Sequence, residues 1–413
     1  MKRLGKYSFG IGDRFAREAE AQLKAIIKAK ESGIDVTPVW NKSFREHDII
    51  KSHPSETRQK ANQAVENLNW NSSYFIDADH VNLTSVDFFM GHSDFFTIDV
   101  ADYINKPVSS REIQSFIGRN RNLPGRIEIP GIREPYHVTD DDFEEILRKY
   151  MAAAREASGI YQHIVAAKGK GQFITEISMD EVDEPQKPIE LYFILYLLKD
   201  IPLQTIAPKF TGQFFKGIDY AGDLLLFEKE FEEILLILNF AKRQFNLPGD
   251  LKLSIHSGSD KFSLYPVIKR LTTKYNQGIH LKTAGTTWLE EITGLALSGG
   301  KALTLVKKIY TIAYSRMDEL CGPYRAVIDI DPEALPKPQV VDGWDERKYA
   351  NTLRHVKNHP DYNPHFRQLL HVGYKVAAEM GDPFLDALEN NNPVISGHVM
   401  DNLLKRHIIP LFS

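Results

Sequence analysis

Two stretches place chemistry-bearing side chains at the ends of apolar runs. One is Phe75-Ile76-Asp77-Ala78-Asp79-His80, the other Ser254-Ile255-His256-Ser257-Gly258-Ser259-Asp260. Each begins strand-like and stops in ionisable and small polar residues. A carboxylate beside an imidazole at one strand end, with a second imidazole at another, is the start of a divalent-metal site, and such sites polarise carbonyl groups. His80 and His256 are the candidate metal ligands. Sequence does not separate zinc, manganese, nickel and cobalt as the divalent cation.

Both stretches must be carried to a common place. The chain repeats a short apolar strand, a polar loop and an amphipathic helix. Strands are expected at Tyr7–Gly10, Val36–Trp40, Tyr74–Ile76, Phe95–Val100, Phe173–Ile177, Leu203–Ala207, Leu251–Ile255 and Gly278–Leu281. Strands alternating with helices imply a parallel sheet, because each parallel neighbour needs a crossover. Eight units suggest a (β/α)8 TIM-type barrel, whose chemistry sits at the C-terminal strand ends; a doubly wound open sheet is the alternative. The expected organisation is a barrel over residues 1–300, with an insertion near 105–140 rich in Arg, Pro and Gly. A helical extension over 301–413 packs on the barrel, with its mouth as one place to sit.

The polar residue after each strand is then informative. They are Asp13 and Arg14, Asn41 and Lys42, Asp77 to His80, Asp99 and Asp102, Glu176, Lys209, His256 to Asp260, and Lys282 with Thr283 and Thr286. A purely structural barrel does not need that density. Each also has a plainer reading. His80 could cap the next helix. Glu176, behind an apolar run, could simply pair with Lys209, and Lys209 could bind substrate or form a Schiff base. Arg14 could be solvated at a helix start or grip a carboxylate bidentately. Small residues around Ser257 let the backbone approach a ligand closely.

Bulk properties narrow the class. The 413 residues are 42% hydrophobic and 26% charged, an ordinary globular balance, and a net charge of -4 argues against wholesale binding to nucleic acid or anionic lipid. The single cysteine, Cys321, excludes a disulfide framework and a Cys-rich zinc module, and fits a reducing cytoplasm. No signal peptide is apparent, and charges interrupt the most apolar helical segment, so no membrane span is expected. Gly10-Ile11-Gly12 lacks the third glycine of a dinucleotide loop, since position 15 is Phe. A homo-oligomer is left open.

Asp79-His80 and Ile255-His256-Ser257-Gly258-Ser259 are similar to the Asp-His and His-Gly-x-Ser elements of class II, metal-dependent aldolases. That likeness implies proton transfer by Asp79, metal binding by His80 and His256, and a catalytic glutamate at Glu176. It departs on strand six, where a further metal-binding histidine is replaced by Lys209.

Over most of the chain, Ser8-Phe9-Gly10-Ile11-Gly12-Asp13-Arg14-Phe15, Phe75 to His80, Ala207-Pro208-Lys209-Phe210 and Leu370-His371-Val372-Gly373-Tyr374-Lys375 resemble the bacterial tagaturonate/fructuronate epimerase family. This resemblance implies metal-dependent interconversion of D-tagaturonate and D-fructuronate in hexuronate catabolism; some members act on fructose and tagatose. It makes Asp79 and Glu176 the acid/base pair, with Arg14, Lys209, Ser257 and Lys282 toward the substrate hydroxyls and carboxylate. A class II-type aldolase and a non-catalytic sugar-binding barrel subunit are the rival readings.

Overall fold

The computed structural model describes residues 2–256, 260–283 and 285–413. Its strands are β1 (Tyr7–Gly12), β2 (Val36–Ser43), β3 (Phe75–Val81), β4 (Phe95–Asp99), β5 (Gly125–Ile127), β6 (Tyr136–Val138), β7 (Ile174–Ser178), β8 (Thr205–Ala207), β9 (Lys252–Ile255) and β10 (Ile279–Thr283). Eight of them form a closed barrel in the order β1-β10-β9-β8-β7-β4-β3-β2, while β5 and β6 form a separate two-stranded sheet. Closure is explicit at β1, which pairs in parallel with both β2 and β10. That sets aside the open doubly wound sheet.

Alternation along the strands explains what fills the barrel. Val39, Phe75, Phe95 and Ile174 join Leu4 in a small apolar cluster of their own. Their sequence neighbours Trp40, Ile76 and Phe96 belong instead to the large cluster shared with the surrounding helices. Successive side chains of a strand point to opposite faces, so the small cluster plugs the interior. Two residues further along, the inward rows turn polar: Asn41 follows Val39, Asp77 follows Phe75, Thr97 follows Phe95 and Glu176 follows Ile174. The barrel therefore has a dry plug beneath a charged layer, both written at period two.

Three regions add to the plain strand–helix repeat. The stretch 107–139 is not merely a loop, for it holds the helix Ser110–Arg119 and the β5–β6 hairpin. After it, one long helix runs over Asp140–Lys168; Ser158-Gly159 does not break it, because a single helical glycine costs only about 1 kcal/mol. The C-terminal extension ends in the helix Asn392–Asp401, a π-helical turn Asn402–Ile408 and Ile409–Phe412, helical as expected over 301–413. No helix among the described residues is long and apolar enough to cross a membrane.

One buried ion pair pins the C-terminal helices to the barrel mouth. Arg367, on the helix Pro364–Val372, is fully buried. It donates to Asp260 from the loop after β9, to the Gly217 carbonyl (2.5 Å) from the loop after β8, and to the Leu353 carbonyl (2.8 Å). Burial opposes the Asp260 carboxylate, but Arg367, with His355 and His407, holds it well below the usual range. Arg367→Ala should lower stability at neutral pH by about 3–5 kcal/mol, because Asp260 is left buried and unpaired. Urea denaturation measures this. Arg367→Lys should recover little, since one ammonium cannot reproduce a three-point fork.

Candidate metal and proton-transfer site

The floor of the site is a lysine inside the barrel. Lys282, near the end of β10, is buried, and its Nζ lies 2.7 Å from Asp77 Oδ2, 2.7 Å from Asp79 Oδ1 and 3.0 Å from Glu176 Oε1. Thr97 ties the same group together, with its hydroxyl 2.9 Å from Asp77 and 3.2 Å from Glu176. The stem needs room: a Cβ on Gly10 would meet Lys282 Cγ at 2.8 Å, so the neighbouring strand carries glycine there. Burial disfavours every charge in this layer, yet Lys282 holds Asp79 and Glu176 ionised, below the usual carboxylate range. Asp77, the deepest, stays raised to about 6, because burial outweighs its lysine.

Below this layer His280 closes the charged volume. Its Nδ1 meets Ser8 Oγ at 2.9 Å and its ring lies 5.4 Å from that of Phe95, at the top of the plug. Burial lowers it to about 3, so this imidazole is neutral at pH 7.

Above the lysine, a strained residue turns an imidazole into the mouth. The β3–β4 register shifts between Ala78 and Val81, and His80 has φ +52°. A regular strand would send Asp79 and His80 to opposite faces. A bulge with one left-handed residue re-aims the side chain, at a cost of order 1–3 kcal/mol. His80 Nδ1 then meets Asp99 Oδ2 at 2.8 Å, its Nε2 lies 3.9 Å from Asp79, and its ring sits 5.0 Å from that of His256.

His256, just after β9, meets Glu176 through Nε2 at 2.6 Å and Asp180 through Nδ1 at 3.1 Å. His80, Asp180 and His256 each bring one donor atom to within 4.8 Å of the others, and His80, Asp99 and Glu181 form a second such group. Two nitrogens and a carboxylate oxygen suit zinc and its first-row neighbours. The electrostatics also favour a cation. Burial lowers an imidazole, but Asp180 and Glu176 push His256 up to about 9, and Asp79, Glu181 and Asp99 raise His80 well above its ordinary 6.5.

Asp79, His80, Asp180, His256 and Lys282 share the wall of one cavity of about 280 Å³ with Arg14 and Asn41. Glu176 is fully buried beneath that wall, behind His256 and Lys282. Its expected pairing with Lys209 is not found: Glu176 pairs with Lys282 and His256. Lys209 is half-buried in an adjoining cavity of about 220 Å³, its backbone N–H donating to Gln186 at 2.7 Å. Arg14 is not solvated. It is buried, 3.4 Å from Glu46 and stacked 3.7 Å from the Tyr374 ring centroid. Lys282, expected toward the substrate, is at the cavity wall but already satisfied by carboxylates. Ser257 lies outside the described residues.

The donor that sequence reasoning missed is Asp180, two residues past the end of β7. In place of the histidine sought at the Lys209 position, a carboxylate from the end of the previous strand is the candidate third donor. Ser178-Met179-Asp180-Glu181 carries the same signal as the other strand ends, an acidic pair after an apolar run, but Glu176 drew attention away from it.

A family model described as UxaE, tagaturonate epimerase, matches residues 2–407. The chain is similar to the tagaturonate/fructuronate epimerase of Thermotoga maritima, 26% identical over 423 residues that take in 97% of this chain and 80% of that protein. It is similar in structure to fructuronate-tagaturonate epimerase UxaE from Cohnella laeviribosi. The one-glycerol complex has TM-score 0.80 and 23% identity, covering 98% of this chain and 82% of that one. The two-glycerol complex gives 0.82 and 22%, over 99% and 82%. At that identity the structural match carries the barrel and its C-terminal helices.

Lys282→Met keeps the stem and removes the charge. It should cost about 3–5 kcal/mol at pH 7, because three buried carboxylates lose their cation. In the native chain Asp79 and Glu176 are depressed, so the stability they contribute is present at neutral pH and lost as pH falls through their folded values. In the variant those carboxyls rise instead. The deficit should therefore narrow as pH is lowered from 7 toward 5, as urea denaturation at each pH will show.

Proposed function

Because the chain belongs to the tagaturonate epimerase family, we propose that it interconverts D-tagaturonate and D-fructuronate by metal-dependent retro-aldol cleavage and re-addition, as a step of hexuronate breakdown in the cytoplasm. It is a carbohydrate epimerase, an isomerase. The observation that carries the chemical reading is the His80–Asp180–His256 group beside an ionised Asp79 in one cavity. The inverted carbon lies β to the ketone, so simple enolisation does not acidify its proton. Breaking the neighbouring carbon–carbon bond, turning the aldehyde and re-forming the bond inverts it without a redox cofactor.

A divalent cation held by His80, Asp180 and His256 supplies Lewis-acid polarisation of the ketone when bound. The protein's own groups handle the protons. Asp79, kept ionised by Lys282, faces the cavity and accepts the proton of the hydroxyl that becomes the aldehyde. Glu176 is the second proton carrier. Its carboxylate is held ionised by Lys282 and His256. Its Oε2 is buried without a hydrogen-bond partner among the described residues and is left to accept one. Arg14, whose Nε has no hydrogen-bond partner among the described residues, Lys209 and Ser257 are assigned to substrate binding.

Removing metal with a chelator should abolish epimerisation of D-fructuronate, and adding back one divalent ion should restore it. Asp180→Ala should lose bound metal alongside His80→Ala and His256→Ala, by elemental analysis of folded protein. Asp79→Asn and Glu176→Gln should each lower kcat about 10²- to 10⁴-fold while keeping their metal. Stoichiometric release of free aldehyde to a trapping reagent would identify an aldolase instead.

A further inference from the structure

The cavity holds two cations that the chemistry above does not use. Arg45 sits at the start of the helix Phe44–Ile50, and Lys216 lies in the loop after β8. Both border the metal-side cavity and the adjoining one, together with Asp180, His256 and Tyr324. They flank one ring: Arg45 Cζ is 5.6 Å and Lys216 Nζ 5.2 Å from the Tyr324 centroid. Tyr324 comes from the C-terminal extension, on the 3-10 turn Gly322–Val327, and its hydroxyl meets that of Tyr374 at 3.0 Å.

Two other cations of the mouth already face carboxylates. Lys282 is held by three carboxylates and Arg14 by Glu46. Among the described residues, Arg45 and Lys216 have no carboxylate within ion-pair distance; Glu181 attracts Arg45 only at longer range. Two unneutralised cations against one aromatic ring, in a cavity that also holds a metal-competent group, form a receptor for an anion on the same ligand.

We propose that Arg45 and Lys216 receive the substrate carboxylate and hold it through the reaction, so that the cleaved fragment turns in place. This rests on the proposed reaction for the identity of the substrate. Number the carbons from the hydroxymethyl end, with the ketone at C2 and the carboxylate at C6. Cleavage breaks C3–C4; its electron pair passes to C3 and into the carbonyl, and the C4 hydroxyl gives up its proton to become an aldehyde. The carboxylate stays on the aldehyde fragment, joined through C5. Rotation about C4–C5 presents the other aldehyde face while C6 remains held. Re-addition forms C3–C4 again, and the C4 oxygen takes a proton. An anchored carboxylate makes the difference between inverting a centre and losing a fragment.

Calorimetric titration of the native protein and of R45A/K216A with D-fructuronate and with D-fructose reads the cation pair directly. Arg45 is exposed and Lys216 half-exposed, and circular dichroism verifies the fold. The Kd for the acid should rise about 10- to 100-fold in the variant, the loss of one or two charged hydrogen bonds, with that for the neutral sugar changing less than about threefold. R45K should recover part of the loss. Trapped aldehyde per turnover of D-fructuronate should rise in the variant. Equal weakening for both sugars, or unchanged binding of the acid, overturns the proposal. Failure of the proposed reaction is read separately, as absent turnover by the native protein.

Discussion

An ammonium group inside a barrel is the constraint on which the site depends. Lys282 is removed from water and has to be balanced there, and Asp77, Asp79, Glu176 and Thr97 do so from three strands. Neither side of this pairing is tolerable alone, since each buried charge would otherwise neutralise or unfold its surroundings. Gly10 is glycine to let the stem pass. The plug of Leu4, Val39, Phe75, Phe95 and Ile174 closes the interior below. Asp79 is consequently an ionised base at the floor of a cavity, in a place where burial alone would have protonated it.

A second balance is stacked on the first. Asp99, Asp180, Glu176 and Asp79 surround His80 and His256, and both imidazoles are raised above neutrality as a result. At pH 7 the pair therefore carries two protons. One divalent cation would replace two positive charges with two, leaving the sum for the surrounding carboxylates unchanged while releasing the protons. The same carboxylates that raise the imidazoles would thus support the cation, with Asp180 as a ligand and Asp99 orienting His80 through its other nitrogen.

Much of this was legible in the sequence because it is local. Period-two alternation names the eight strands, and the switch from apolar to charged residues at their ends names the mouth. Asp79, His80, His256 and Lys282 converge because they share that grammar. What was not legible is longer in range or lower in contrast. A histidine at positive φ has no composition signal, so the bulge at His80 appears only when β3 pairs with β4. Asp180 lies past the strand end, where loop and ligand look alike. Arg14 read as a helix-start surface residue because its burial comes from Tyr374, 360 positions further along the chain. Tyr324 and Arg367 stand in helical and proline-rich sequence with no strand nearby to give them a place.

Those distant residues suggest how the two parts of the chain share the work. The barrel strands supply the buried charges of the site. The C-terminal helices, pinned at the mouth by Arg367 on Asp260, supply the aromatic wall. Arg14 on Tyr374, Tyr374 bonded to Tyr324, and Arg45 and Lys216 against Tyr324 form a connected layer at the mouth. Each cation in that layer keeps its direction because a rigid ring backs it, which a flexible loop could not ensure. A change in the extension can then alter which end group the cavity accepts while the Lys282 network beneath it stays intact. The reverse does not hold, because Asp79 and Glu176 keep their ionised state through Lys282.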